Sequence, residues 1–206
     1  MIGEFNQEHL AEEVWRTFLT TGGAEVELSL LFADVRGSTS LAETLGTAQF
    51  SQLINRFYRI ASQIMVDSDA LIDKIVGDQA AGIYVPGFAG AQHARRAIQA
   101  GRQLLATTGH GDGSAPWIPL GVGVHSGTAY VGSVGSKDGT MDITVLGDAA
   151  NTAAHLASEA KGGEILISEA AYREAGLDLE FLEARQLAIK GKRQAVSVHV
   201  LAERSR

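Results

Sequence analysis

Asp34 closes the apolar run Val26-Glu27-Leu28-Ser29-Leu30-Leu31-Phe32-Ala33 and is followed by Val35-Arg36-Gly37-Ser38-Thr39. A carboxylate at the end of a buried strand is costly unless something pairs with it. The Gly37-Ser38-Thr39 turn leads into a helix, and backbone amides at such a turn are free to bind phosphate oxygens. A cation between the carboxylate and a phosphate would satisfy both. A structural alternative is that Asp34 caps the following helix. Asp78 stands at the tip of a second candidate element, the Gly77-Asp78 turn between Ala70–Val76 and Ala80–Val85. A Gly-Asp turn is common and mostly structural. If the first strand and this hairpin are sheet neighbours, however, the two carboxylates share one edge. Mg²⁺ is commonly held by one or two carboxylates together with substrate phosphates. The chemistry these residues suggest is nucleoside triphosphate binding through two divalent metal ions.

Other residues carry weaker signals. Lys74 lies four residues before Asp78 and on the same strand face; inside an apolar strand it needs an acceptor or an escape to solvent, and a snorkelling lysine on an edge strand is the plain alternative. Asn151 and His155 are four apart among alanines, so they share a helix face; a solvated polar stripe is the plain alternative. His125 has no second histidine or carboxylate at metal-ligand spacing and reads as structural. There is no Gly-x-Ser-x-Gly elbow and no Gly-x-x-x-x-Gly-Lys-Ser/Thr loop, which excludes the common serine-hydrolase and Walker-type readings.

Positioning these groups requires a particular order of elements. After the first strand, Phe50, Leu53, Ile54, Phe57, Ile60, Ile64 and Met65 recur at helical spacing. The hairpin follows, then a helix over Ala91–Ala106, then strands Leu120–Val124 and Ala129–Val134 around His125-Ser126-Gly127. Asp142–Leu146 reads as a strand, Asp148–Ala160 as a helix ended by Lys161-Gly162-Gly163, and Glu164–Ile167 as a strand. Tyr172 falls in a short helix, and two strands, Phe181–Ile189 and Ala195–Leu201, close the chain. Strand, helix, two hairpin strands, helix and strand form a ferredoxin-like βαββαβ unit. The fold class is therefore α+β, with an antiparallel-rich sheet, extra C-terminal strands and helices expected on one face. Gly109–Pro119 is expected to be a mobile loop. Residues 1–24 read as a separate helical segment, with Leu10, Val14, Phe18 and Leu19 on one stripe, and residues 25–206 as the main domain.

Composition narrows the class further. The 206 residues carry 45% hydrophobic and 20% charged residues, within the range of soluble globular proteins. No apolar run approaches the roughly 20 residues needed to span a bilayer. The net charge of −7 disfavours wrapping nucleic acid. With no cysteine, disulfides and thiolate zinc sites are excluded, and a cytoplasmic location fits.

Five stretches in order resemble the class III nucleotidyl cyclases, the adenylyl and guanylyl cyclase catalytic domain. They are Leu31–Thr39, Lys74–Asp78, Gly123–Gly127, Thr144–Ala154 and Ile189–Lys192. The resemblance implies an adenylate cyclase that converts ATP to 3′,5′-cyclic AMP and pyrophosphate at a homodimer interface. Asp34 and Asp78, helped by the Val35 carbonyl, would hold two Mg²⁺ or Mn²⁺ ions, and amides of the Gly37-Ser38-Thr39 turn would touch the triphosphate. Lys74 would read a ring nitrogen of adenine and Thr144 would take the second base-reading position, as in a bacterial subgroup. Asn151 would orient the ribose, and Lys190 and Lys192 would reach the phosphates. One subunit would supply the two aspartates and the other the base-reading pair with Asn151.

Two positions depart from that pattern. His155 stands where the family usually has an arginine that stabilises charge on the α-phosphate. Gly121 stands where some relatives carry a phosphate-contacting arginine. A slow or inactive domain that binds ATP and metal as a sensor or interaction module is the alternative that His155 raises.

Overall fold

The computed structural model describes residues 22–111, 113, 115–135, 141–177, 182–189, 192 and 195–202, with the backbone alone for 73–76, 133–135 and 141–143. The expected N-terminal helix and its stripe Leu10, Val14, Phe18 and Leu19 lie outside the described residues, as does Lys190.

The strand β1 (Gly23–Val35) runs through the middle of the molecule, and every residue from Leu28 to Ala33 is buried. It leads through Arg36-Gly37 into helix α1 (Ser38–Leu45) and then α2 (Thr47–Asp67). Strands β2 (Leu71–Val76) and β3 (Gln79–Tyr84) form the expected hairpin, and a helical turn at Pro86–Ala89 leads to α3 (His93–Thr107). Then come β4 (Leu120–Gly135), β5 (Met141–Leu146), α4 (Asp148–Glu159), β6 (Glu164–Ser168), α5 (Glu169–Ala175), β7 (Glu183–Leu187) and β8 (Val196–Ala202). The eight strands make one sheet in the order β2-β3-β1-β4-β6-β8-β7, with β5 paired to β4. Only the β4–β6 pairing is parallel among the pairs described. The βαββαβ order and the extra C-terminal strands agree with the sequence reading.

The layers differ from that reading. Alternate residues of a strand point to opposite faces, and β1 is apolar on both. Leu31, Ala33 and Val35 join a core with Phe57 and Met65 of α2 and Ile98 and Leu104 of α3. Leu28, Leu30 and Phe32 join a second core with Ala149, Ala153 and Ala157 of α4. Helices therefore cover both faces of the sheet rather than one. A strand buried on both sides has to be covered on both sides, because leaving either apolar row in water forfeits roughly 25 cal/mol per Å².

The seat of α4 is built from glycine. A Cβ at Gly123 would meet the Ala157 nitrogen and lie 2.5 Å from the Ala153 carbonyl oxygen, and one at Gly121 would lie 2.6 Å from the Ala160 carbonyl oxygen. These are backbone atoms and cannot move aside singly. Gly123→Val is expected to destabilise the fold by about 3 kcal/mol or more, by displacing α4 from the sheet. Chemical denaturation measures this. A loss below about 1 kcal/mol would mean that the helix does not rest on this glycine.

Two local expectations are corrected. His125-Ser126-Gly127 does not divide β4: Leu30 faces His125 and Leu28 faces Gly127 in one unbroken register with β1. The pairing partner, not local turn propensity, keeps this stretch extended. The Gly109–Pro119 loop is anchored at its C-terminal side. Ile118 is fully buried, Trp117 donates its indole N–H to the Thr107 carbonyl at 3.0 Å, and the Arg56 guanidinium lies 4.0 Å from the Trp117 ring centre. Aromatic burial and a cation–π contact hold a segment whose glycines suggested mobility.

Candidate active site

The sheet register places Asp34 and Asp78 together. Asp34 is opposite Gln79 in the β1–β3 ladder, and the Val35 N–H donates to the Asp78 carbonyl at 3.0 Å. The two carboxylates thus leave adjacent chain segments at one end of the sheet. Asp34 does not cap α1. Its carboxylate ion-pairs with Arg36 and accepts a hydrogen bond from the Gln79 amide at 3.2 Å. Asp78 accepts one from the Ser38 hydroxyl at 2.5 Å.

The turn between β1 and α1 is shaped by Gly37, whose φ of 65° is left-handed and serves as the helix N-cap position. No side chain caps α1 there, so its first-turn amides are free for an anion. Ser38 opens α1 directly after this turn, and Thr39 is exposed beside it. From α2, the Tyr58 hydroxyl donates to the Gly77 carbonyl at 2.6 Å and steadies the β2–β3 turn. Burial, followed by the nearby Asp78 carboxylate, raises the pKa of Tyr58 above the usual phenol value, so it remains a donor.

The base-reading candidates fall on neighbouring strands. Lys74 is placed on β2, opposite Ala81 just after a register shift. Thr144 is on β5, opposite Gly132, and β5 lies against β2. The Thr144 side chain is buried, and its hydroxyl has no hydrogen-bond partner among the described residues. A buried hydroxyl without a partner is costly, which suits a position completed by a ligand.

Asn151 and His155 share one face of α4, as their spacing predicts. With Ala154 and Ser158 they line an open depression of about 360 Å³. Lys192 forms an ion pair with Asp148 at 2.8 Å, at the start of the same helix. Gly121 is a seat for α4 and leaves no room for the arginine found there in some relatives. His125 is four rungs from the Asp34 level of β4. It hydrogen-bonds to the Ser168 hydroxyl at 2.8 Å. Burial, and then the charge of Lys192, lower its pKa to about 4, so it stays neutral near pH 7.

Arg36, Tyr58 and Gln79 were not singled out from the sequence. Arg36 had a visible signal, being a cation two residues from a costly carboxylate. Tyr58 and Gln79 act through neighbours that are not adjacent in sequence.

Asp34 and Asp78 offer hard oxygen donors at adjacent chain positions, and each carboxylate retains lone pairs beyond its present hydrogen bonds. That donor set suits Mg²⁺ or Mn²⁺. Among the described residues no group of three or more acidic or histidine side chains gathers elsewhere as a rival metal centre.

Comparison with known proteins agrees with this layout. The chain spans between about a quarter and a third of the length of the curated relatives it matches. It is 29% identical over 181 residues to an adenylate cyclase of Anabaena cylindrica, covering 84% of this chain and 36% of the relative. It is 23% identical to adenylate cyclase 1 of Rhizobium meliloti, covering 84% of this chain and 27% of the relative. Among solved structures, the adenylyl cyclase CyaB from P. aeruginosa superposes with a TM-score of 0.71 at 28% identity, covering 88% of this chain and 97% of that one. The guanylyl cyclase Cya2 superposes with a TM-score of 0.77 at 24% identity, covering 87% and 93%. Residues 24–203 match the adenylate and guanylate cyclase catalytic domain. A sheet that brings Asp34 beside Asp78, a glycine turn ahead of α1 and a match across nearly the whole described chain lead to one conclusion: this protein belongs to the class III adenylyl and guanylyl cyclase family.

Proposed function

We propose that the chain is an adenylate cyclase acting as a homodimer, converting ATP to 3′,5′-cyclic AMP and pyrophosphate. The observation that carries this reading is the adjacency of Asp34 and Asp78 beside the uncapped N-terminus of α1. The named adenylate cyclases among the relatives support it. The reaction is an in-line displacement. The ribose 3′-oxygen forms a bond to the α-phosphorus, the bond from that phosphorus to the oxygen bridging the α- and β-phosphates breaks, pyrophosphate leaves with that oxygen, and the hydroxyl proton passes to solvent. Divalent ions, when bound, lower the pKa of that hydroxyl and neutralise charge on the leaving phosphates.

The chain's own residues position the reactants. Asp34 and Asp78, with the Val35 carbonyl, hold the metal ions. The amides at Gly37, Ser38 and Thr39 receive phosphate oxygens. From the partner subunit in the dimer come the counterparts of Lys74 and Thr144 for the base, of Asn151 for the ribose and of Lys190 and Lys192 for the phosphates. His155, beside Asn151 on α4, faces the reacting phosphate. Little covalent work remains for the protein beyond positioning and charge stabilisation.

Base choice is the sharpest test. A lysine only donates hydrogen bonds, which suits an acceptor ring nitrogen of adenine; guanine presents an N–H there instead. With Mn²⁺ and equal ATP and GTP, cyclic AMP is expected as the main product. Lys74→Glu should lower ATP use by about tenfold or more and admit GTP. Preference of the unaltered protein for GTP would overturn the assignment of Lys74 and the adenylate reading with it.

A further inference from the structure

Arg36 sits where β1 gives way to the turn before α1. Its backbone N–H donates to the Pro119 carbonyl at 2.8 Å, which fixes the residue between two chain segments. Through Nη2 the guanidinium ion-pairs with Asp34; the Arg36 side chain is 26% exposed and that of Asp34 13%. Through Nη1 it donates to the Ser158 carbonyl at 2.5 Å, in the last turn of α4. Nε is buried and has no hydrogen-bond partner among the described residues. The other contacts of the two carboxylates, from Gln79 and Ser38, are neutral donors. Among the described side chains, Arg36 is thus the cation that compensates Asp34.

A guanidinium on Asp34 and a divalent ion on the same carboxylate compete. Both seek the oxygen lone pairs, and at contact distance their like charges repel. The cost of a mostly buried carboxylate at the end of an apolar strand explains why a cation is needed there without metal. We propose that Arg36 is a built-in counter-cation of Asp34, which gives up the carboxylate when a divalent ion binds and thereby sets the affinity of the metal site. This rests on reading Asp34 and Asp78 as the metal carboxylates. The Ser158 contact gives the displaced side chain a remaining anchor, so metal binding breaks one ion pair without freeing the whole side chain.

The test uses the full chain, Mn²⁺ alone as the probe and no nucleotide. Arg36→Met keeps the length and apolar stem while removing the charge. It is expected to bind Mn²⁺ about five- to tenfold more tightly than the unaltered protein by calorimetry. Its metal-free Tm should fall, and its Tm should rise more at a fixed Mn²⁺ concentration. Arg36→Lys keeps the charge and should stay near the original affinity. A purely structural arginine would lower Tm in Arg36→Met while leaving Mn²⁺ affinity unchanged or weaker, and that result overturns the proposal. Asp34→Ala separates the two readings. If it still binds Mn²⁺ normally, the metal assignment itself falls; if it loses Mn²⁺ while Arg36→Met matches the original protein, only the role of Arg36 falls. Should Arg36→Met not fold, Mg²⁺ titration of the unaltered protein decides. The ¹⁵N–¹H signal of the Arg36 guanidinium, identified by its loss in Arg36→Lys, is expected to shift and saturate with metal binding, and an unmoved signal overturns the proposal.

Discussion

Asp34→Ala and Asp78→Ala are each expected to lower cyclic nucleotide production by at least about 10³-fold while the domain stays folded. Each change deletes ligands from the proposed metal centre and leaves its partner carboxylate alone with the triphosphate. The large effect follows from what the protein contributes: where catalysis is positioning plus charge neutralisation, removing the residues that hold the charge removes most of it. Asp34→Ala also strips Arg36 of its carboxylate partner, so a modest fall in Tm is expected for that variant, and Asp34→Asn serves as the isosteric control. Near-normal turnover of either alanine variant with Mn²⁺ would refute the two-carboxylate assignment. Mixing extends the test to assembly. If one subunit gives the aspartates and the other the base-reading residues, Asp34→Ala mixed with Lys74→Ala yields heterodimers with one intact site. Random pairing then restores about a quarter of the original activity from two inactive proteins. Heterodimers that form and stay inactive would mean that the site is built within one chain.

His155→Arg is expected to raise turnover by about tenfold or more. The side chain at 155 lines an open depression with Asn151, Ala154 and Ser158, so a longer residue has room to extend. Arginine is longer, carries a permanent charge and presents a planar fork of donors to a phosphate, whereas histidine is short and offers at most two ring N–H groups. The gain should appear in kcat more than in KM, because the interaction strengthens as charge develops on the phosphate. The informative quantity is the rate of the arginine variant divided by that of the original protein, measured at one pH and saturating ATP. A ratio that stays near one places the 155 side chain outside the chemistry.

Much of the site can be read in particular stretches. The apolar run that ends in Asp34 is costly as it stands, and the Gly77-Asp78 turn falls between two strands of matched length. Both belong to local pattern, and the register of β1 with β3 joins them as that pattern suggests. The periodic apolar residues of α2 and the four-residue spacing of Asn151 and His155 are equally local.

What the sequence determined by itself was therefore the identity and order of the elements and the residues worth watching, because period, turn chemistry and the cost of a stranded carboxylate act over a few positions. The tertiary structure decided how those elements meet. Leu28–Ala33 is apolar at every position but Ser29 and buried throughout, and a run with so little alternation cannot say which helix covers which face. The placement of α4 opposite α2 and α3 depends on Gly121 and Gly123, whose missing side chains matter only once a helix backbone lies against them. Likewise, the Arg36 guanidinium reaches Asp34 two residues away and Ser158 across 122 positions. The first contact is within reach of local reasoning; the second exists because the chain has folded, since it requires α4 to be seated before its carbonyl can meet the arginine.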